Sequence, residues 1–374
     1  MGHEGSFGGM DRREFLRLGG AGLAGAVLLG TAGGRVFAQA GSSLEAELES
    51  AAGEYGVPRE LLLAMGFVNT EWEMPPPDAS VYALGDPSGH GVYGVMHLRR
   101  NPWSNTLERA ASLTRLSEEQ LKRERAANVR GGAAVLAEIQ GQDRPSGPDG
   151  WQETVAEYAS TELYAQEVYG TLREGAAATT STGETLELSP QDVEVPQVFT
   201  TEEIAAEDYR RARWVPAHPS NYGDSRRERS YDINKIVIHV GQAGYADIIS
   251  HFQRRGQQAS AHYVISRDGD ITQMVRHRDV AWHAGWLPTN KRSIGIEHAG
   301  YVSDDFPGAM YRASARLAAY ISKRHRVPLD RKHIIGHNQV PGCGNPGGGG
   351  VSCHTDPGRY WNWARYMRLI KRFR

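Results

Sequence analysis

Apolar residues recur at helical spacing through the first half of the chain. Leu44, Leu48, Ala51, Ala52 and Tyr55 share one helix face and stop at Gly56-Val57-Pro58, a turn signal that predicts the end of that helix. A second apolar helix is predicted from about Pro58 to Val68. Ser117-Glu118-Glu119-Gln120 reads as a capping box opening the segment Leu121 to Arg130. Trp151 to Leu172 continues without a breaker. No alternating strand pattern of useful length interrupts this, so residues 43–172 are expected to form an all-α domain. Between Glu174 and Asp208 the pattern lapses: nine acidic residues, no Lys or Arg, and prolines at 190 and 196 read as a solvated acidic linker over 173–206.

Beyond residue 230 short strand patterns alternate with helix. Lys235-Ile236-Val237-Ile238-His239 is a buried-strand run, and Tyr263–Ser266 and Ile271–Val275 flank Asp268-Gly269, a hairpin turn. Ser293–Glu297 and His333–His337 are two more strands, with an amphipathic helix from Tyr311 to Arg326 between them. Residues 207–374 are therefore expected to form a mixed-sheet α/β domain. The chain is read as multi-domain, and its 374 residues are enough for two cores.

Charge and targeting narrow the functional classes. Forty-two basic against 44 acidic residues give no overall field toward nucleic acid or an anionic membrane. Asp11-Arg12-Arg13-Glu14-Phe15-Leu16-Arg17, a Gly-diluted apolar stretch from Leu18 to Ala32, and Ala38-Gln39-Ala40 read as a twin-arginine signal peptide over residues 1–40. Fifteen residues with five glycines are too few for a spanning helix. The expectation is export to the envelope or medium, with no stable membrane insertion after cleavage. Cys343 and Cys353 are the only cysteines; in an oxidising compartment they read as a local disulfide, a pair of free thiols, or one metal ligand.

Eleven of the 14 histidines lie from His218 onward, so metal chemistry is sought there. Three strand patterns end in a titratable residue: His239, Glu297 and His337. A strand that runs apolar and finishes this way leaves its last side chain at the rim of the sheet, where ligands of α/β folds bind. His354-Thr355-Asp356-Pro357-Gly358 adds an imidazole and a carboxylate in a constrained turn. Two imidazoles, a carboxylate and an open position compose a catalytic zinc site. The alternative is a set of surface and core histidines with no metal. There is no H-E-x-x-H helix and no G-x-S-x-G elbow.

The ordered segments Ile236–His239, Ser260–Ile265, Ala281-Trp282-His283-Ala284-Gly285, Ser293–Glu297, Ile335-Gly336-His337 and His354–Gly358 resemble the zinc-dependent N-acetylmuramoyl-L-alanine amidases of the amidase/peptidoglycan-recognition-protein superfamily. The resemblance implies that His239, His337 and Asp356 ligate zinc, which polarises the lactyl carbonyl and acidifies its water. It implies that Glu297 is the general base. Many relatives carry a Lys two residues before the Asp ligand. His354 occupies that place here, an imidazole in position to stabilise the oxyanion, with a more pH-sensitive activity as the consequence. His283, Asn290 and Trp282 fall where relatives line the substrate cleft. With Asp356 in the ligand position, Cys353 is left for a disulfide with Cys343.

In the first domain, Glu54–Pro58, Leu61–Val68 and Tyr93–Leu98 resemble the lysozyme-like fold of soluble lytic transglycosylases. The catalytic Glu-Ser pair of that family is Asn69-Thr70 here. An amide has no acidic proton to give a glycosidic oxygen, so the resemblance implies a degenerate domain that binds glycan or only packs. The basic, aromatic segment Arg359 to Arg374 reads as a docked amphipathic helix, with attraction to anionic wall polymers as the sharper alternative. The sequence as a whole points to a secreted peptidoglycan amidase; its rivals are a non-catalytic peptidoglycan-binding protein on the same fold and a bifunctional amidase and transglycosylase.

Overall fold

Ser43 opens the first helix by accepting a hydrogen bond from Ala46 N at 3.3 Å, and Gly56 closes it at φ 65°. The computed structural model describes residues 43–198, 208–223, 231–341 and 354–374. The signal segment, Cys343, Cys353 and the end of the acidic segment lie outside the described residues. The first half contains α1 (Leu44–Tyr55), α2 (Arg59–Thr70), α3 (Thr106–Thr114), α4 (Glu118–Arg123), α5 (Arg125–Gln140), α6 (Gln152–Ala159) and α7 (Glu162–Glu174). The expected capping box at Ser117 and Gln120 is present.

Three expectations for this half are corrected. The segment from Leu121 breaks at Glu124, which leaves the helical region at φ −104° and ψ 116°. Trp151–Leu172 is two helices, because Ser160 turns left-handed at φ 56° and ends α6. A two-residue strand pair, β1 (Val92–Tyr93) with β2 (Leu98–Arg99), adds a little sheet to the helices.

Over residues 176–188 the expected solvated linker is corrected. Ala176–Thr179 (β3) and Thr185–Leu188 (β4) form an antiparallel hairpin whose turn holds Gly183 at φ 87°. Leu186 and Leu188 alternate inward while Thr185 and Glu187 stay exposed. Glu184 accepts from Leu44 N at 2.8 Å and pairs with Arg125, fastening the hairpin to α1 and α5. Acidic composition concealed a period-two pattern.

The second half is the expected mixed sheet. Its strands are β5 (Arg213–Trp214), β7 (Lys235–Ile238), β8 (Tyr263–Ile265), β9 (Ile271–Gln273), β11 (Ser293–His298) and β12 (Ile334–Gly336), in the order β12-β7-β11-β8-β9-β5. A separate pair joins β6 (Tyr222–Gly223) to β10 (Val280–Ala281). The β12-β7-β11-β8 run is parallel, and β8 and β9 are antiparallel across the Asp-Gly turn. Helices α8 (Tyr245–Gln253), α9 (Leu287–Arg292), α10 (Gly308–His325) and α11 (Trp363–Phe373) complete the chain. The basic C-terminal segment docks as an amphipathic helix, with Tyr366 and Ile370 buried. Among the described residues no helix is long and apolar enough to cross a membrane.

One contiguous apolar cluster runs from Leu48, Leu62 and Trp151 in the helical half to Val240, Phe252 and Ile296 in the sheet half, and the described residues from Ser43 onward belong to one compact unit. Between the halves, buried Arg99 donates to Asp247 at 2.7 Å. His97 donates from Nδ1 to the other Asp247 oxygen and accepts the Tyr301 hydroxyl at Nε2, each at 2.8 Å.

Candidate metal centre

Register places the key residues. Ile238 of β7 lies opposite Ile296 of β11 on one side and Gly336 of β12 on the other. The next residue in each strand is His239, Glu297 or His337, so three parallel strands deliver these side chains to one edge of the sheet. Asp356 arrives from the turn before α11. One donor atom from each of His239, His337 and Asp356 lies within 4.8 Å of the others. His239 Nδ1 is 3.4 Å and His337 Nδ1 3.1 Å from the Asp356 carboxylate. The sequence-predicted ligand set is thus brought together.

The hydrogen bonds behind His239 fix its tautomer. Ser293 Oγ donates to Thr289 O at 2.7 Å, so it accepts from His283 Nε2 at 3.0 Å. His283 Nδ1 is then the acceptor for the Nε2–H of His239 at 2.9 Å. His239 Nδ1 is left with a lone pair facing Asp356 and Glu297, the form a metal-binding imidazole requires. Among the described residues, His239 Nδ1 and both Glu297 oxygens are buried without a hydrogen-bond partner. Orphaned atoms of this kind, in a set of two imidazoles and one carboxylate, fit a divalent cation with borderline-soft preferences.

Electrostatics agree with the geometry. Burial, with His337 adding to it, lowers His239 to about 3, so this ring stays neutral. Burial pushes Asp356 up, but His337 and His239 outweigh it and hold the carboxyl well below the usual range. Glu297 goes the other way: burial, then the Asp356 charge, raises it well above the ordinary carboxylate value. Its Oε1 is 3.9 Å from His239 Nδ1.

His354 stacks on His337 with ring centroids 3.5 Å apart, and burial, then His337, lowers it to about 4. It lines the mouth of the centre together with Asp356. The substrate-contact expectation for His283 and Asn290 is corrected. His283 is fully buried behind His239, and Asn290 is buried with its Oδ1 accepting from His283 N and Ala284 N at 3.2 and 2.8 Å. His283 braces His239 directly, and Asn290 braces the backbone that carries His283. Successive side chains of an extended segment point to opposite sides, so Trp282 faces away from the centre, with its indole nitrogen beside Gly223. Sequence reasoning missed Ser293, which completes the relay to His239, and Gly295. A Cβ on Gly295 would lie 2.4 Å from His283 Cγ, so only glycine admits that ring; nothing in the strand pattern signals this.

Residues 229–359 match the family described as N-acetylmuramoyl-L-alanine amidase. N-acetylmuramoyl-L-alanine amidase A of Achromobacter lyticus is 37% identical over 185 residues, covering 44% of this chain and 96% of its own. The 1,6-anhydro-N-acetylmuramyl-L-alanine amidase AmpD of Haemophilus influenzae is 34% identical, covering 39% of this chain and 87% of its own. A solved crystal structure of an AmpD derivative is 26% identical and covers 45% of this chain and 99% of its own, with a TM-score of 0.35. The chain is an amide hydrolase and belongs to the N-acetylmuramoyl-L-alanine amidase family. Its helical half lies outside the matched span.

Proposed function

We propose that this amidase acts on peptidoglycan, severing the amide between N-acetylmuramic acid and L-alanine, with a zinc ion held by His239, His337 and Asp356. The carrying observation is the convergence of three donors within 4.8 Å beside a glutamate whose oxygens are buried without partners. When bound, the ion supplies Lewis acidity to the scissile carbonyl and to water. Glu297, raised by burial, takes a proton from the attacking water and hands it to the departing amine. His354 at the mouth hydrogen-bonds the carbonyl oxygen as charge gathers there. His283 and Ser293 hold His239 in its ligating tautomer.

The test is digestion of purified cell wall followed by mass spectrometry. Stem peptides with L-alanine amino termini are expected, and both Glu297→Gln and a chelator should abolish them. Release that survives either treatment sinks the zinc reading; wall left intact by the native protein would favour a binding protein, and anhydro-sugars a transglycosylase.

The helical half is read as a degenerate lysozyme-like domain. Asn69 supports this: it is 3% exposed and donates to Val95 O at 2.9 Å, a bracing role. Export by the twin-arginine route and a Cys343–Cys353 disulfide complete the proposal. Fractionation of cells expressing an Arg12→Lys, Arg13→Lys variant tests the first, and thiol titration before and after reduction the second.

A further inference from the structure

Beside the metal centre is a cavity of about 330 Å³ whose walls come from both halves of the chain. One wall carries His354, Asp356 and Tyr301 of the sheet half; the facing wall is the 76–88 segment, with Asp78, Asp86 and Ser88. That segment lies outside the span matched by the amidase family, 229–359. It is fastened to the loop that follows His239: Ser88 Oγ donates to Val240 O at 3.4 Å and His90 Nε2 to Gly241 O at 2.8 Å. Gly85 N donates to Gln257 O at 2.9 Å. Asp86 is held in turn, accepting from Ser88 N at 2.8 Å. The wall is therefore tied to the backbone next to a ligand, and a substrate entering the cleft meets it.

The charged side chains of the 76–88 wall have one sign. Among the described residues, those around the cavity include Asp78 and Asp86, neither of them a metal-ligand candidate, and no Lys or Arg. Carboxylates in a concave site with low-dielectric walls attract cationic groups and repel anionic ones. We propose that the 76–88 segment is a specificity wall of the amide-cleaving cleft, favouring wall peptides that carry a free side-chain ammonium over those whose amine is blocked. The inference rests on reading the His239, His337, Asp356 cluster as the active centre.

The test uses two muramyl tripeptides that differ only at the third residue, one with a free side-chain amine and the other with that amine acetylated. For the full chain, kcat/KM is measured by product chromatography and affinity by titration calorimetry. The free-amine peptide should be preferred by about five-fold at low salt, the scale of one or two partly exposed ion pairs. The preference should shrink in about 1 M salt, where screening acts within roughly 3 Å. In the Asp78→Asn, Asp86→Asn double variant the ratio should fall toward one; asparagine preserves the Asp86 acceptor for Ser88 N, so the turn survives. A native ratio of one, or a ratio unchanged in the double variant, overturns the wall. If neither peptide is cleaved, the active-centre reading fails, and the calorimetric preference still decides the wall.

Discussion

Replacing Gly295 by alanine should weaken metal binding without touching a ligand. The added Cβ would stand 2.4 Å from His283 Cγ and 2.6 Å from its Nδ1. The strand has little freedom to yield, since β11 is paired with β7 on one side and β8 on the other. The ring must then retreat by about 1 Å to reach ordinary carbon contact. Its hydrogen bond to His239 Nε2, now 2.9 Å, would open beyond bonding range. Loss of a partner that orients a ligating imidazole typically costs 10- to 100-fold in metal affinity, or about 1.4–2.8 kcal/mol. Competition against a chromophoric chelator reads that loss directly, and thermal unfolding of the apoprotein reports whether the fold survives. The double variant Gly295→Ala, His283→Ala supplies the control. If the ring is the sole target of the clash, adding Gly295→Ala to His283→Ala should cost almost nothing further, so the two effects are strongly non-additive. Native-like affinity in Gly295→Ala, or full additivity in the cycle, refutes the reasoning.

Two further measurements probe the junction between the halves. Asp247→Asn leaves buried Arg99, 2% exposed, without its counter-charge and should cost about 3–5 kcal/mol in urea denaturation; a loss under about 1 kcal/mol would mean the pair is not the fastening described. Burial lowers His90 to about 4 from 6.5. The unfolded chain therefore takes up this proton near pH 6.5 and the folded protein only near pH 4. Stability should fall as pH drops through that window, by up to about 1.4 kcal/mol per unit from this residue. Urea midpoints at about pH 7 and about pH 5 should diverge less in His90→Gln than in the native protein; equal losses in both would contradict the assignment.

Much of the centre was legible because parallel strands are simple devices. A run such as Ile236-Val237-Ile238 buries itself on both faces, and the residue after it must emerge at the rim, so His239, Glu297 and His337 could be named from one dimension. Their adjacency depends on sheet order, which no local pattern encodes. His283 was misplaced for a related reason: a motif fixes where a ring lies along the chain and not which way it faces, and here it turns inward onto His239. Over 176–188 composition misled. Acidic residues and small polar ones outweighed the Leu186, Leu188 alternation, which the hairpin buries. The 76–88 wall left no trace in hydrophobic periodicity, because its position is set by hydrogen bonds to Val240, Gly241 and Gln257, more than 150 residues away.

The apolar interior shared by both halves restricts how this chain can be dissected. An amidase segment expressed alone from about residue 207 would present to water the underside that α7, Arg99 and the helical residues now cover, and the solubility and integrity of such a fragment would suffer together. The shared interior predicts that the helices serve as built-in masonry for the hydrolase, and the solubility of the fragment from about residue 207 checks it.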